Sequence, residues 1–142
     1  ILNSATPSPL LHRRALLVIQ KLDVELMSQG TRMLVGKHNF ASFAGSLGRR
    51  NPVRQVFRAE ISRKGELIFF DVEADSFLPQ QMRRMTAALI RLGLGRLGLE
   101  EFRELIDCGK VSAARWVAPS YGLYLTRVNY PDLQLDTSWE NA

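Results

Sequence analysis

Along part of the chain hydrophobic and polar positions divide between two faces with a period of two. Val53 to Arg63 and Glu66 to Asp75 read as strands, with Lys64-Gly65 between them as a hairpin turn. In the second strand Ile68, Phe70, Val72 and Ala74 share one face, while Leu67, Phe69, Asp71 and Glu73 share the other. The first face reads as core and the second as open to solvent or a partner. Elsewhere the period is helical. Val24, Met27, Thr31 and Leu34 fall on one side of a helix from Val24 to about Val35, with Asp23 as its N-cap and Gly36 at its end. Leu78, Met82, Met85, Leu89 and Leu92 form one stripe of a helix from Leu78 to Leu92. Glu100 to Cys108 reads as a shorter acidic helix. Ala15 to Gln20 is a short β-prone run. Leu123 to Tyr130 reads as a last strand ended by Pro131, with Leu123, Leu125, Arg127 and Asn129 on one face. The order β-α-β-β-α-(α)-β is the split βαβ pattern. The expected fold is therefore α+β and ferredoxin-like, a mostly antiparallel sheet with helices on one face and an open cleft face.

The remaining segments set the boundaries. Residues 1–13 read as a linker or the remnant of a preceding strand, because Ile1-Leu2-Asn3 runs into a stretch rich in proline and small polar residues. Residues 37–52 form a long connection rich in Gly, Ser and Arg, and residues 132–142 a flexible tail. One domain over 14–131 remains, and the chain reads as a fragment cut from something longer.

Composition narrows the function classes. The chain has 142 residues and a net charge of +5. Between Arg49 and Arg96 ten basic residues stand against five acidic ones, a surplus equal to the whole net charge. Such clustering suits a polyanion, RNA or DNA ahead of a membrane surface. No apolar run approaches the roughly 20 residues of a membrane span. One cysteine, Cys108, excludes an internal disulfide and fits a reducing, cytoplasmic setting. One cysteine and two histidines also exclude zinc-finger spacing. Gly93-Leu94-Gly95-Arg96-Leu97-Gly98 matches a dinucleotide-binding motif in letters, but it follows a helix instead of a strand. Gly93 reads better as a left-handed helix stop. Lys64 to Phe70 is a faint echo of the RNA-recognition signature, without its stacking aromatics.

The helix that opens at Phe77-Leu78 is more specific. With its apolar stripe at zero, Arg84 and Arg91 lie at about 240° and 220°, on the solvent side, and Arg83 lies at about 140°. Thr86, Ala87 and Ile90 flank Arg83 and leave room for another segment or a base. A partly buried guanidinium there needs a carboxylate or phosphate, unless it snorkels to solvent over Ile90.

Several segments, in order, resemble the C-terminal domain of the TruA family of tRNA pseudouridine synthases. They begin with Leu22-Asp23 and with Leu34-Val35-Gly36-Lys37-His38-Asn39-Phe40-Ala41-Ser42-Phe43, similar to L-x-G-x-H-D-F-x-S-F. Phe77-Leu78 and Met82-Arg83-Arg84-Met85 resemble F-L-x-x-M-V-R-x-I-V-G. Ala118-Pro119-Ser120-Tyr121-Gly122-Leu123-Tyr124-Leu125, followed by Val128-Asn129-Tyr130-Pro131, resembles A-P-x-x-G-L-x-L-x-x-V-x-Y-P. The resemblance implies an isomerase that converts uridine to pseudouridine in the anticodon arm of tRNA, with no cofactor and no required metal. It implies a homodimer with a basic tRNA-binding surface. Arg83 corresponds to the arginine that pairs with the catalytic aspartate, Leu123 to the leucine lining the uracil pocket, and Phe77 to the aromatic that opens the arginine helix. Arg54 has a counterpart before the hairpin, and Arg49 and Arg50 lie in the connection expected near RNA. The G-R-T-D-x-G-V-H-A segment that carries the aspartate does not occur in these residues, nor does the family's tyrosine strand, expected just before Ile1. Asn39 stands where the family has aspartate, and Ala87 where it has glycine. The chain would supply the arginine side of the cleft and a missing N-terminal domain the rest. The competing expectation is a non-catalytic RNA-binding or dimerisation module of the same fold.

Overall fold

A computed structural model of the chain describes residues 1–126. Its centre is the hairpin that the alternation predicts. Strands Val53–Lys64 and Leu67–Ala74 pair antiparallel and turn at Gly65, whose φ of 62° suits a residue without a side chain. Numbered in chain order, the strands are β1 (Leu2–Asn3), β2 (Leu17–Val18), β3 (Gly36–Asn39), β4 (Val53–Lys64) and β5 (Leu67–Ala74). They form one sheet in the order β2-β1-β5-β4-β3, antiparallel except between β1 and β2. The helices are α1 (Val24–Leu34), α2 (Gln81–Gly93) and α3 (Leu99–Asp107). The α+β class and the mostly antiparallel sheet are as expected.

Two strand expectations change. β3 starts at Gly36, the expected helix end, and runs into the expected long connection, pairing Gly36 with Val56 and Asn39 with Val53. Its residues, Gly-Lys-His-Asn, carry no apolar alternation, so only backbone pairing with β4 makes it a strand. The expected last strand is not formed over Leu123–Thr126, and its remainder lies outside the described residues.

The core sits between the sheet and the helices. Val56 and Ile68 of the hairpin, Met27 and Leu34 of α1, Met85, Leu89 and Leu92 of α2, and Phe102 of α3 are all buried, with Phe40 and Phe43 between them. Asp23 caps α1, its Oδ1 accepting the Leu26 N–H at 3.1 Å. α1 and α2 approach closely because Gly30 and Gly93 have no side chain. A Cβ on Gly30 would lie 2.7 Å from Leu92 Cδ2, and one on Gly93 2.6 Å from Met27 Sδ. Gly93 is thus a packing residue of α2. The left-handed stop expected there falls at Gly95, with φ 74°. The other sheet face is open among the described residues. Phe57 and Phe69 are exposed on it, and Arg58 pairs there with Glu60 at 3.1 Å and Glu73 at 3.9 Å.

α2 starts at Gln81, three residues later than the apolar stripe predicts. Gln80 precedes it with φ 63°, and the buried Gln81 side chain accepts the Leu78 N–H at 2.8 Å. This turn fixes Leu78 in the core and leaves Phe77 41% exposed beside the helix.

Candidate functional site

Residues 111–124 cross the molecule as a strap. At one end Ser112 and Ala114 donate backbone N–H groups to Ala41 and Ser42, at 3.1 and 2.9 Å. At the other, Gly122 lies against Ala15 and the Tyr124 hydroxyl donates to the Arg14 carbonyl at 2.9 Å. In between, Ala114, Trp116 and Ala118 turn inward while Arg115 and Val117 are exposed. The strap's carbonyls have no strand partner there, and arginines of α2 supply the donors.

Arg84 Nη1 donates to Ala114 O at 2.8 Å, and its Nε and Nη2 donate to Gln80 Oε1 at 3.2 and 3.0 Å. Arg91 stacks on Trp116, 4.4 Å from the ring centroid. Neither side chain points freely to solvent, although helical periodicity places both on the solvent side of the helix. Both are half-buried because the strap covers that side of α2. Periodicity reads one helix and cannot see a segment packed on it. The strap's mark in the sequence is the alternation of Ala114, Trp116 and Ala118 with exposed Arg115 and Val117.

Arg83 is held differently. Its Nε donates to Ala118 O at 2.8 Å, and its own carbonyl accepts the Ala118 N–H at 3.1 Å. Its terminal nitrogens make no hydrogen bond among the described residues, where both ion pairs belong to Arg58. One edge of the guanidinium is fixed, and among the described residues nothing occupies the other. A carboxylate or phosphate can bind that edge through two parallel N–H donors.

The structure places the other expected residues as follows. Arg49 and Arg50 are exposed on the loop that follows Gly45, whose N–H donates to Pro79 O at 2.9 Å. That bond brings the arginine loop to the end of α2 where Phe77 lies. Arg54 is half-buried at the start of β4. Its Nη1 donates to Asn51 O and Val53 O at 2.5 and 2.8 Å, and its buried Nε has no partner among the described residues. Leu123 is 46% exposed and belongs to the strap, where a place on the open sheet face was expected. No hydrogen bond joins Leu123 to Arg83 or Phe77. The segment from Ala118 to Leu123 connects the arginine contact to that leucine along the chain. Among the described residues, no group of three or more His, Cys, Asp or Glu side chains could hold a metal ion. No helix is long and apolar enough to cross a membrane among them.

Fold and site together define an α+β domain with a net positive charge and an arginine held at Nε whose terminal nitrogens have no partner among the described residues. Residues 31–131 match the family model described as tRNA pseudouridine synthase, and the chain belongs to that family. It is 40% identical over 131 residues to a tRNA pseudouridine synthase A of Methylacidiphilum infernorum, covering 91% of this chain and 51% of that one. It is 35% identical over 134 residues to one from a Roseiflexus species, covering 92% and 49%. With one from Gluconobacter oxydans it shares 37% identity over 133 residues, covering 93% and 48%. The chain thus spans about half the length of the curated relatives it matches.

Proposed function

We propose that this chain is the C-terminal half of a tRNA pseudouridine synthase that acts on uridines of the anticodon arm. The observation that carries the reading is the guanidinium of Arg83, fixed at Nε by Ala118 and without a carboxylate among the described residues. The expected partner is an aspartate of the other half. Arg83 would hold that carboxylate in place, and Leu123 and Phe77 would line the space that the uracil enters. The reaction breaks the bond between uracil N1 and the ribose, turns the base, and joins C5 to the same ribose carbon. The proton on C5 is lost and N1 gains one, so the product is an isomer. The uridine must leave its stack to be reached. Arg49, Arg50 and Arg54 would contact RNA phosphates. The partners of the proposal are tRNA, the preceding domain and a second copy of the whole enzyme.

Tritium release from C5-labelled uridine in tRNA tests it. The 142-residue chain alone is expected to release none. The same chain joined to a half bearing the G-R-T-D segment is expected to release tritium. Turnover by the chain alone would contradict the reading.

A further inference from the structure

Residues 12–14 and 120–124 are distant in sequence but meet at the β2 edge of the sheet. Beside the Tyr124–Arg14 contact lies an open cavity of about 390 Å³, with Ser8, His12, Arg13, Leu17 and Tyr121 in its lining. His12, Arg13 and Arg14 are consecutive and exposed, and Tyr121 is 40% exposed. Neither arginine meets a carboxylate among the described residues. Arg13 also adopts φ 59°, a left-handed conformation that costs a residue with a side chain. The backbone is strained where it presents a guanidinium at the rim of a cavity.

We propose that this cavity binds an unpaired nucleotide of RNA, with Arg13 and Arg14 on its phosphates and Tyr121 stacked on its base. Adjacent cations beside an exposed aromatic ring form the combination that holds single strands without reading their sequence. The volume is in the range of small-ligand sites. The proposal rests on the RNA reading given above and extends it to a surface that reading left out. β2 and β3 are opposite edges of the sheet, so RNA held at Arg49, Arg50 and Arg54 would also be held at the far edge.

The test measures binding of the chain to a fluorescein-labelled RNA hairpin with a uridine-containing single-stranded loop, across a salt series. Arg13→Gly is expected to weaken binding and to lower the slope of log K against log salt by about one. The same substitution relieves the strained φ and is expected to raise the melting temperature. A structural role for Arg13 would move both in the same direction. Tyr121→Ala is expected to weaken binding about tenfold, and Tyr121→Phe to restore it. Arg103→Glu, on α3 near the β3 edge, is the control expected to change neither stacking nor cavity. Unchanged affinity in Arg13→Gly and Tyr121→Ala, with wild-type binding intact, would overturn this proposal and leave the RNA reading standing. Absence of binding by the wild-type chain would overturn both.

Discussion

Arg83 and Arg84 are neighbours with the same side chain and different surroundings. Arg84 has its guanidinium occupied by Ala114 and Gln80, so its work is to hold the strap on α2. Arg84→Ala removes charge-assisted hydrogen bonds that are partly exposed. It is expected to cost about 1–2 kcal/mol of stability, read by thermal or urea unfolding of the chain. Arg83 makes one such bond, and its terminal nitrogens have no partner among the described residues. Lysine cannot reproduce a fixed Nε contact together with a two-donor edge. Arg83→Lys in the full-length enzyme is therefore expected to keep the positive charge and still lose most of kcat. Recovery of near-wild-type kcat by lysine would show that only charge is needed. This distinction was half legible in sequence. The angle of Arg83 on the helix set it apart, but the roles of Arg84 and Arg91 depend on a segment that helical period does not report.

Elements were legible where one face is buried and obscure where pairing is by backbone alone. β5 places Ile68, Phe70, Val72 and Ala74 on the face toward the helices, and that period marked it, whereas β4 has adjacent Val56 and Phe57 and a register shift between Val56 and Arg58 that leaves Val56 buried and Phe57 exposed. α1 was marked at its start by Asp23, and Asp23→Ala is expected to cost about 1 kcal/mol by unfolding. β3 left no mark, because an edge strand of Gly, Lys, His and Asn buries little. Of the expected strand from Leu123 to Tyr130, the described part, Leu123 to Thr126, is exposed on both faces and pairs with no neighbour among the described residues, and the rest lies outside them. The strap is the element the sequence reading lacked. Trp116 closes it over Arg91, and Trp116→Ala is expected to lower the melting temperature. It is also expected to reduce kcat of the full-length enzyme by loosening the Ala118 carbonyl that orients Arg83. A loss of stability without any change in kcat would separate the strap from the site.

At the scale of the molecule, one sheet carries two basic regions on opposite edges, and the strap runs between their neighbourhoods past Arg83. The arginine loop at residues 49–54 and the arginine helix were legible from charge and from motif. The basic rim at residues 12–14 was not, because it reads as linker until the strap's end is placed beside it. On the proposed reading this chain is half of a cleft, and Arg83 would meet a carboxylate of the other half. The most direct test is steady-state tritium release by the full-length enzyme carrying Arg83→Ala or Arg84→Ala. For Arg83→Ala a fall in kcat of about 100-fold or more is expected, with little change in KM and a stability loss of about 1 kcal/mol from the lost Ala118 hydrogen bond. A smaller fall is expected for Arg84→Ala, accompanied by lost stability. Equal, small effects of the two substitutions would contradict the proposed reading and remove Arg83 from the active site.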